Sequence, residues 1–196
     1  MTNLGIGLPI LVADYVPAGV KVFSHTENGM VGVGPTPEPE KVDPELINAG
    51  KLPVTEDSGD AYFSSSESFA MIRDGHVSVA MLGALQVDRL RRIAKWAIPG
   101  KPILGVGGAM DLLVGAKTVI VATTHLTRKR DPKIVEECSV RLTGTRPADL
   151  IVTEHATFSV DGEGLILEEI TPESPHEWVR SNTPAPFGNS ATLEAV

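Results

Sequence analysis

Glu27 stands where an apolar run, Val20 to Phe23, gives way to Asn28-Gly29-Met30-Val31-Gly32-Val33-Gly34-Pro35. A carboxylate at a strand end, beside glycines that let the backbone turn and a ligand approach, has the setting of a nucleophile or a general base. The same residues allow a plainer reading. Asn-Gly is a strong hairpin signal, and Glu27 would then be the exposed flank of a two-residue turn. Against that reading, Met30-Val31 runs at once into Gly32-Val33-Gly34-Pro35, so no good partner strand follows.

A second candidate is Gly105-Val106-Gly107-Gly108-Ala109-Met110. It lacks the third glycine of the dinucleotide fingerprint, and no Lys-Ser/Thr follows it as in a P-loop. Two readings remain open. Gly107 and Gly108 let a helix pack tightly on a sheet, or they bare backbone N–H groups at a helix start to an oxyanion or phosphate.

The other reactive types give less. The histidines (His25, His76, His125, His155 and His176) show no metal-ligand spacing, and surface or satisfied histidines are the default. No Gly-x-Ser-x-Gly elbow is present, and Ser64-Ser65-Ser66 reads as helix capping. Cys138, the single cysteine, forms no internal disulfide and reads as a buried structural thiol.

These candidates must be positioned by a scaffold. Val20–Ser24, Val77–Leu82 and Thr118–Thr123 are apolar strand candidates, the latter two of the kind buried on both faces. Pro9 opens a helix to Tyr15, and Ser64 to Ser68 caps another that Gly75 closes. Asn28 to Gly50 is a long Pro-rich loop, of the length usually functional or docked on something. Later strands are expected at 134–138, 149–153, 156–160 and 165–169, with Asp161-Gly162-Glu163-Gly164 as a hairpin turn and a terminal helix over 175–181. The pattern predicts an α/β protein with an open, mostly parallel sheet and flanking helices, one domain over 1–196 with a loose tail from about 184. In such sheets ligands sit at the carboxyl ends of the strands. The strand exits Asn3-Leu4-Gly5, Glu27-Asn28-Gly29, Leu82-Gly83-Ala84 and Val106-Gly107-Gly108 then share one edge.

The net charge of −8 argues against a broad nucleic-acid surface. No run of about 18 apolar residues marks a membrane span, and no signal peptide is seen. A cytoplasmic protein is expected. The core-like run within a few residues of Met1 suggests that either a preceding element is missing or a partner covers this end.

Several motifs together resemble a known family. They are Asn3-Leu4-Gly5-Ile6-Gly7-Leu8-Pro9, Glu27-Asn28-Gly29 with Gly32-Val33-Gly34-Pro35, and Leu46-Ile47-Asn48-Ala49-Gly50-Lys51. With them go Ser68-Phe69, Ile72-Arg73, Leu82-Gly83-Ala84, Gln86-Val87, Ile98-Pro99-Gly100-Lys101 and Gly107-Gly108-Ala109-Met110-Asp111-Leu112. Their order is similar to that of β (B) subunits of class I CoA-transferases of the 3-oxoacid (succinyl-CoA:acetoacetate) and 3-oxoadipate type, over nearly the whole chain.

The resemblance implies the CoA-transferase fold and a ping-pong transfer of CoA between an acyl-CoA and a carboxylic acid. Glu27 would be the nucleophile, passing through a glutamyl-CoA thioester. Beside what the resemblance implies, we expect Asn28, Gly29, Gly107 and Gly108 to form the oxyanion and CoA-binding surface, with the Gly107 and Gly108 amides contributing about 3 kcal/mol per oxyanion donor. No metal or tightly bound cofactor is implied, CoA thioester being a substrate. An α (A) subunit would complete a heterodimer or heterotetramer, covering the core-like start and the Pro-rich loop. Alternatives are a CoA-transferase-like hydrolase and a non-catalytic acyl-CoA-binding or partner subunit. The chain departs from the family at Arg91-Arg92-Ile93-Ala94-Lys95-Trp96, where relatives carry a Gly-Asp/Asn-Leu-Ala-Asn-Trp run. It also begins at the Asn-Leu-Gly-Ile-Gly motif, which a helix and strand precede in family members.

Overall fold

The structure, a computed structural model, describes residues 1–17, 19–97, 100, 105–160 and 164–194. Strand β1 (Thr2–Leu4) lies inside a ten-stranded sheet. It pairs in parallel with β2 (Ser24–Thr26) on one side and β5 (Val79–Leu82) on the other. β8 (Thr118–Ala122) and β10 (Leu150–Val152) continue the parallel run beyond β5. Antiparallel strands close both flanks. β3 (Met30–Val33) and β4 (Glu56–Tyr62) follow β2, and β11 (Ala156–Val160) and β12 (Leu165–Ile170) follow β10. A last strand, β13 (Phe187–Asn189), pairs in parallel with β12.

The five central strands therefore share a direction, and the exits Gly5, Glu27 and Gly83 share the carboxyl edge, as expected of an α/β sheet. A separate three-stranded sheet joins β6 (Gln86–Asp88), β7 (Ile93–Ala94) and β9 (Ile134–Val135).

One face of the central sheet is covered by α1 (Ser65–Arg73) and α2 (Ala109–Gly115). α1 starts because Ser64 accepts from the Glu67 N–H while the Glu67 carboxylate accepts from the Ser64 N–H, a reciprocal capping box. It stops at Asp74 and Gly75, the latter at φ 80°, where a glycine tolerates the left-handed turn. Ile72, Leu112 and Leu113 are buried against Ala80, Leu82, Val119 and Val121. Each large side chain so buried contributes about 1.5–3 kcal/mol. The helices approach so closely that a Cβ on Gly115 would overlap the Ile72 carbonyl.

On the other face, β1, β2 and β5 alternate to half-exposed residues: Thr2, Leu4, Ser24, Val79 and Met81. They border a wide cleft under the 3₁₀ segment Leu8–Tyr15, and Ile6, Leu11, Tyr15 and Val20 remain exposed beside it. α3 (His176–Ser181) and the short α4 (Ala191–Glu194) complete the elements.

The structure corrects several expectations. The strands at 79–82 and 118–122 are buried on one face only, because α1 and α2 cover one side of the sheet. Met30–Val33 is a strand despite its glycine. Gly32 at φ 79° makes an irregularity there, and β4 comes so close that a Cβ would crowd Asp60. The run Val20–Phe23 is not a strand, which begins at Ser24. The stretch from Pro184, expected to be loose, carries β13 and a buried Ala185. The expected turns at 98–101 and 161–164 lie largely outside the described residues.

Candidate active site

Glu27 is the first residue of a three-residue turn, Glu27-Asn28-Gly29, that joins β2 to β3. The plainer geometric reading is thus right in part: the segment is a hairpin, closed by the Gly29 N–H donating to the Thr26 carbonyl at 3.1 Å. Gly29 sits at φ 127°, and a Cβ there would overlap the Phe63 carbonyl, so only glycine fits. The turn does not place Glu27 on an open flank. The carboxylate is half-buried and turned toward its neighbours on the sheet edge.

Asn3 of β1 supplies the first contact. Its Nδ2 donates to Glu27 Oε2 at 3.2 Å and also faces His25 Nδ1 at 3.1 Å. The parallel register places Asn3 opposite His25, which brings the two side chains together on one face. His25 Nε2 in turn lies 3.0 Å from Ser68 Oγ of α1. Asn3, His25 and Ser68 are all buried. Burial pushes the His25 pKa below its usual value, with Glu27 opposing and the Met1 amino group adding to the fall.

Gly108 supplies the second contact. A Cβ on it would stand 3.2 Å from Glu27 Cγ and 3.2 Å from the Phe69 ring. Gly108 caps α2, and Gly107 before it, at φ 58°, has open space where a side chain would be. The two glycine segments expected to share an edge therefore do meet. Lys95 lies near enough for the Glu27 carboxylate to favour its ammonium form, although burial acts more strongly and lowers its pKa.

Asn28 is brought to the site but its side chain is used elsewhere. Its Nδ2 donates to the Ile47 carbonyl at 2.8 Å, and its Oδ1 accepts from Thr26 Oγ1. Thr26 Oγ1 also accepts from the Ala49 N–H. The Pro-rich loop is thus tied to the turn, and Gly34 and Thr55 pair across its neck. Sequence reasoning missed Asn3, His25, Ser68 and Lys95 as neighbours of Glu27. Asn3 had only the shared strand-exit pattern to mark it.

The other histidines lie apart. His125 is fully buried between Thr153 and Thr183, at 3.1 and 3.0 Å, with the Trp178 ring beside it. Cys138 is half-buried, and burial pushes its thiol up to about 11.

A glutamate against a glycine-rich helix start, on a strand-exit edge, is the arrangement that the sequence motifs implied. Residues 1–182 match the family model described as coenzyme A transferase. The chain belongs to that family. Among curated relatives, succinyl-CoA:3-ketoacid coenzyme A transferase 2A, mitochondrial, of Rattus norvegicus is 46% identical over 94% of the chain. The chain spans only 36% of that relative's length. The B subunit of a probable succinyl-CoA:3-ketoacid coenzyme A transferase of Bacillus subtilis is 42% identical over 97% of the chain and 88% of the relative. Among solved structures, an acyl-CoA transferase of Escherichia coli O157:H7 superposes with TM-score 0.77 over 97% of this chain and 38% of that one. At 21% identity that likeness shows the shared CoA-transferase fold. No helix among the described residues of this family member is long and apolar enough to cross a membrane.

Proposed function

We propose that the chain serves as the B subunit of a CoA-transferase acting on an acyl-CoA such as succinyl-CoA and a 3-oxo acid, with Glu27 as the covalent nucleophile. One observation carries the assignment of the residue. Glu27 holds one carboxylate oxygen on Asn3 and its methylene against Gly108, at the edge where such sheets bind ligands.

Glu27 attacks the thioester carbonyl, the C–S bond breaks, and CoA leaves as thiolate, giving an acyl-glutamyl anhydride. The thiolate attacks the glutamyl carbonyl of that anhydride and releases the first acid as its carboxylate. A glutamyl-CoA thioester remains. The second acid then attacks it, and the same steps run in reverse. Passing through covalent intermediates splits one difficult transfer into easier steps. The Gly107 and Gly108 amides fit the role of donors to the oxyanions formed at each attack, and Lys95 adds a nearby positive charge. Gly29 keeps the turn tight enough for a thioester to approach. Asn28 contributes by holding the loop next to the turn.

The partner is an A subunit, in a heterodimer or heterotetramer located in the cytoplasm. The exposed apolar row of Ile6, Leu11, Tyr15 and Val20 supports this reading, because such rows mark contact surfaces.

The test is mass spectrometry of the complex assembled with its A subunit and mixed with an acyl-CoA. A CoA adduct should appear on the Glu27 peptide and vanish in Glu27→Gln, with turnover falling roughly 10³-fold or more. Undiminished exchange by Glu27→Gln would exclude the nucleophile assignment.

A further inference from the structure

We propose that His25 is a positioning residue: a neutral imidazole protonated on Nε2 and anchored to Ser68, whose Nδ1 orients the Asn3 amide toward the Glu27 carboxylate. The inference rests on Glu27 being the nucleophile.

The hydrogen-bond partners fix the protons. An ionised carboxylate only accepts, so the Asn3 group at 3.2 Å from Glu27 Oε2 must be the NH₂ end. The same NH₂ faces His25 Nδ1 at 3.1 Å, so Nδ1 accepts and carries no proton. The ring proton then sits on Nε2 and donates to Ser68 Oγ at 3.0 Å. The chain of contacts runs without a break from helix α1 to the nucleophile: Ser68, His25, Asn3, Glu27.

Among the described residues nothing else fixes the amide. Asn3 Oδ1 is buried and has no hydrogen-bond partner there. A carboxamide gripped at its NH₂ end alone takes its direction from the acceptors that end meets. Here those are Glu27 and His25. Phe63 stacks on the imidazole at 6.0 Å and 15°, which holds the ring plane. The charged groups facing the ring are Glu27 on its own hairpin and the Met1 amino group beside β1, while Ser68 and Phe63 meet it uncharged.

The consequence is a defined failure. A proton on Nδ1 would confront the Asn3 NH₂ with a second donor. The amide would rotate to offer Oδ1 to the imidazolium, and that oxygen would then face the carboxylate. Glu27 would lose its donor and gain a repulsive neighbour. With the native tautomer, Oε2 is held and Oε1 is left to attack.

The experiment uses the complex with its A subunit, and compares His25→Gln, His25→Leu and Ser68→Ala. Glutamine can accept from Asn3 and donate to Ser68 but does not titrate, whereas leucine can do neither. His25→Leu should lower kcat roughly 10- to 100-fold with KM for acyl-CoA changed less than about twofold. His25→Gln should restore kcat to within about threefold in mildly alkaline buffer and abolish the acid limb of the wild-type kcat profile that belongs to His25. Should His25→Leu fail to fold, Ser68→Ala, which removes only the anchor, should still lower kcat about three- to tenfold at unchanged KM.

A folded His25→Leu or Ser68→Ala with wild-type kcat would overturn the proposal. So would a Gln variant as slow as the Leu variant, or one that keeps the wild-type acid limb. The Glu27 reading fails separately, on the Glu27→Gln measurement above.

Discussion

At the residue scale, the carboxylate proposed as nucleophile is defined by what crowds it. Gly108 has ordinary helical backbone angles, φ −73° and ψ −2°, so a side chain there would not strain the main chain. A methyl would press on Glu27 Cγ and on Phe69 at 3.2 Å, tighter than comfortable packing, and Glu27 is the neighbour with room to move. Gly108→Ala should therefore leave the urea midpoint near wild type while kcat drops roughly tenfold or more, the cost of a displaced reacting group. A wild-type rate would show that the carboxylate does not depend on this contact. Its strand exit and glycines marked Glu27 only as a candidate beside a hairpin reading, and the family motifs around it singled it out. Asn3 and Ser68 were not, because they stand 24 and 41 residues away and reach it only through strand pairing and helix packing. Lys95 was noted only as a departure from a family pattern, and nothing in its local sequence pointed to Glu27.

At the element scale, α1 and α2 meet at Gly115. A Cβ there would overlap the Ile72 carbonyl, and backbone cannot yield as a side-chain tip does. Gly115→Ala should cost about 1–3 kcal/mol or more in denaturant unfolding by forcing the helices apart. Because α2 carries Gly108 and α1 carries Ser68, the same substitution should also lower kcat in the fraction that folds. A fully stable, fully active variant would deny the close approach. The capping box of α1 was readable as Ser-x-x-Glu, since it depends on residues three apart. The sheet of β6, β7 and β9 was not. Its strands are two or three residues long, too short for alternation to register, and they are drawn together from 86, 93 and 134.

At the scale of the whole molecule, the parallel core was readable from its apolar runs, whereas which face stayed open was not. That depends on where the two helices land. Acid should destabilise the assembled fold through its buried histidines. Burial holds His125 down to about 4, with His155 acting in the same direction and Glu154 opposing. The unfolded chain takes up that proton near the ordinary value of about 6.5. Stability from this group is thus complete above that value and is lost progressively as pH falls toward 4, by on the order of 3 kcal/mol. Urea midpoints measured between neutral and acid pH should fall accordingly. His125→Asn should flatten the slope, and an unchanged slope would assign the acid loss to other groups.

The bond from Asn28 to Ile47, with that from Ala49 to Thr26, makes the hairpin that carries Glu27 and the Leu46–Gly50 segment a single lever. A molecule that leans on the outer arm pushes on the carboxylate at the inner one. Contacts made on the outer arm would in this way bear on where the Glu27 carboxylate points. Under the mechanism proposed above, an acceptor acid or a partner chain would not need to touch Glu27 to change how fast it reacts.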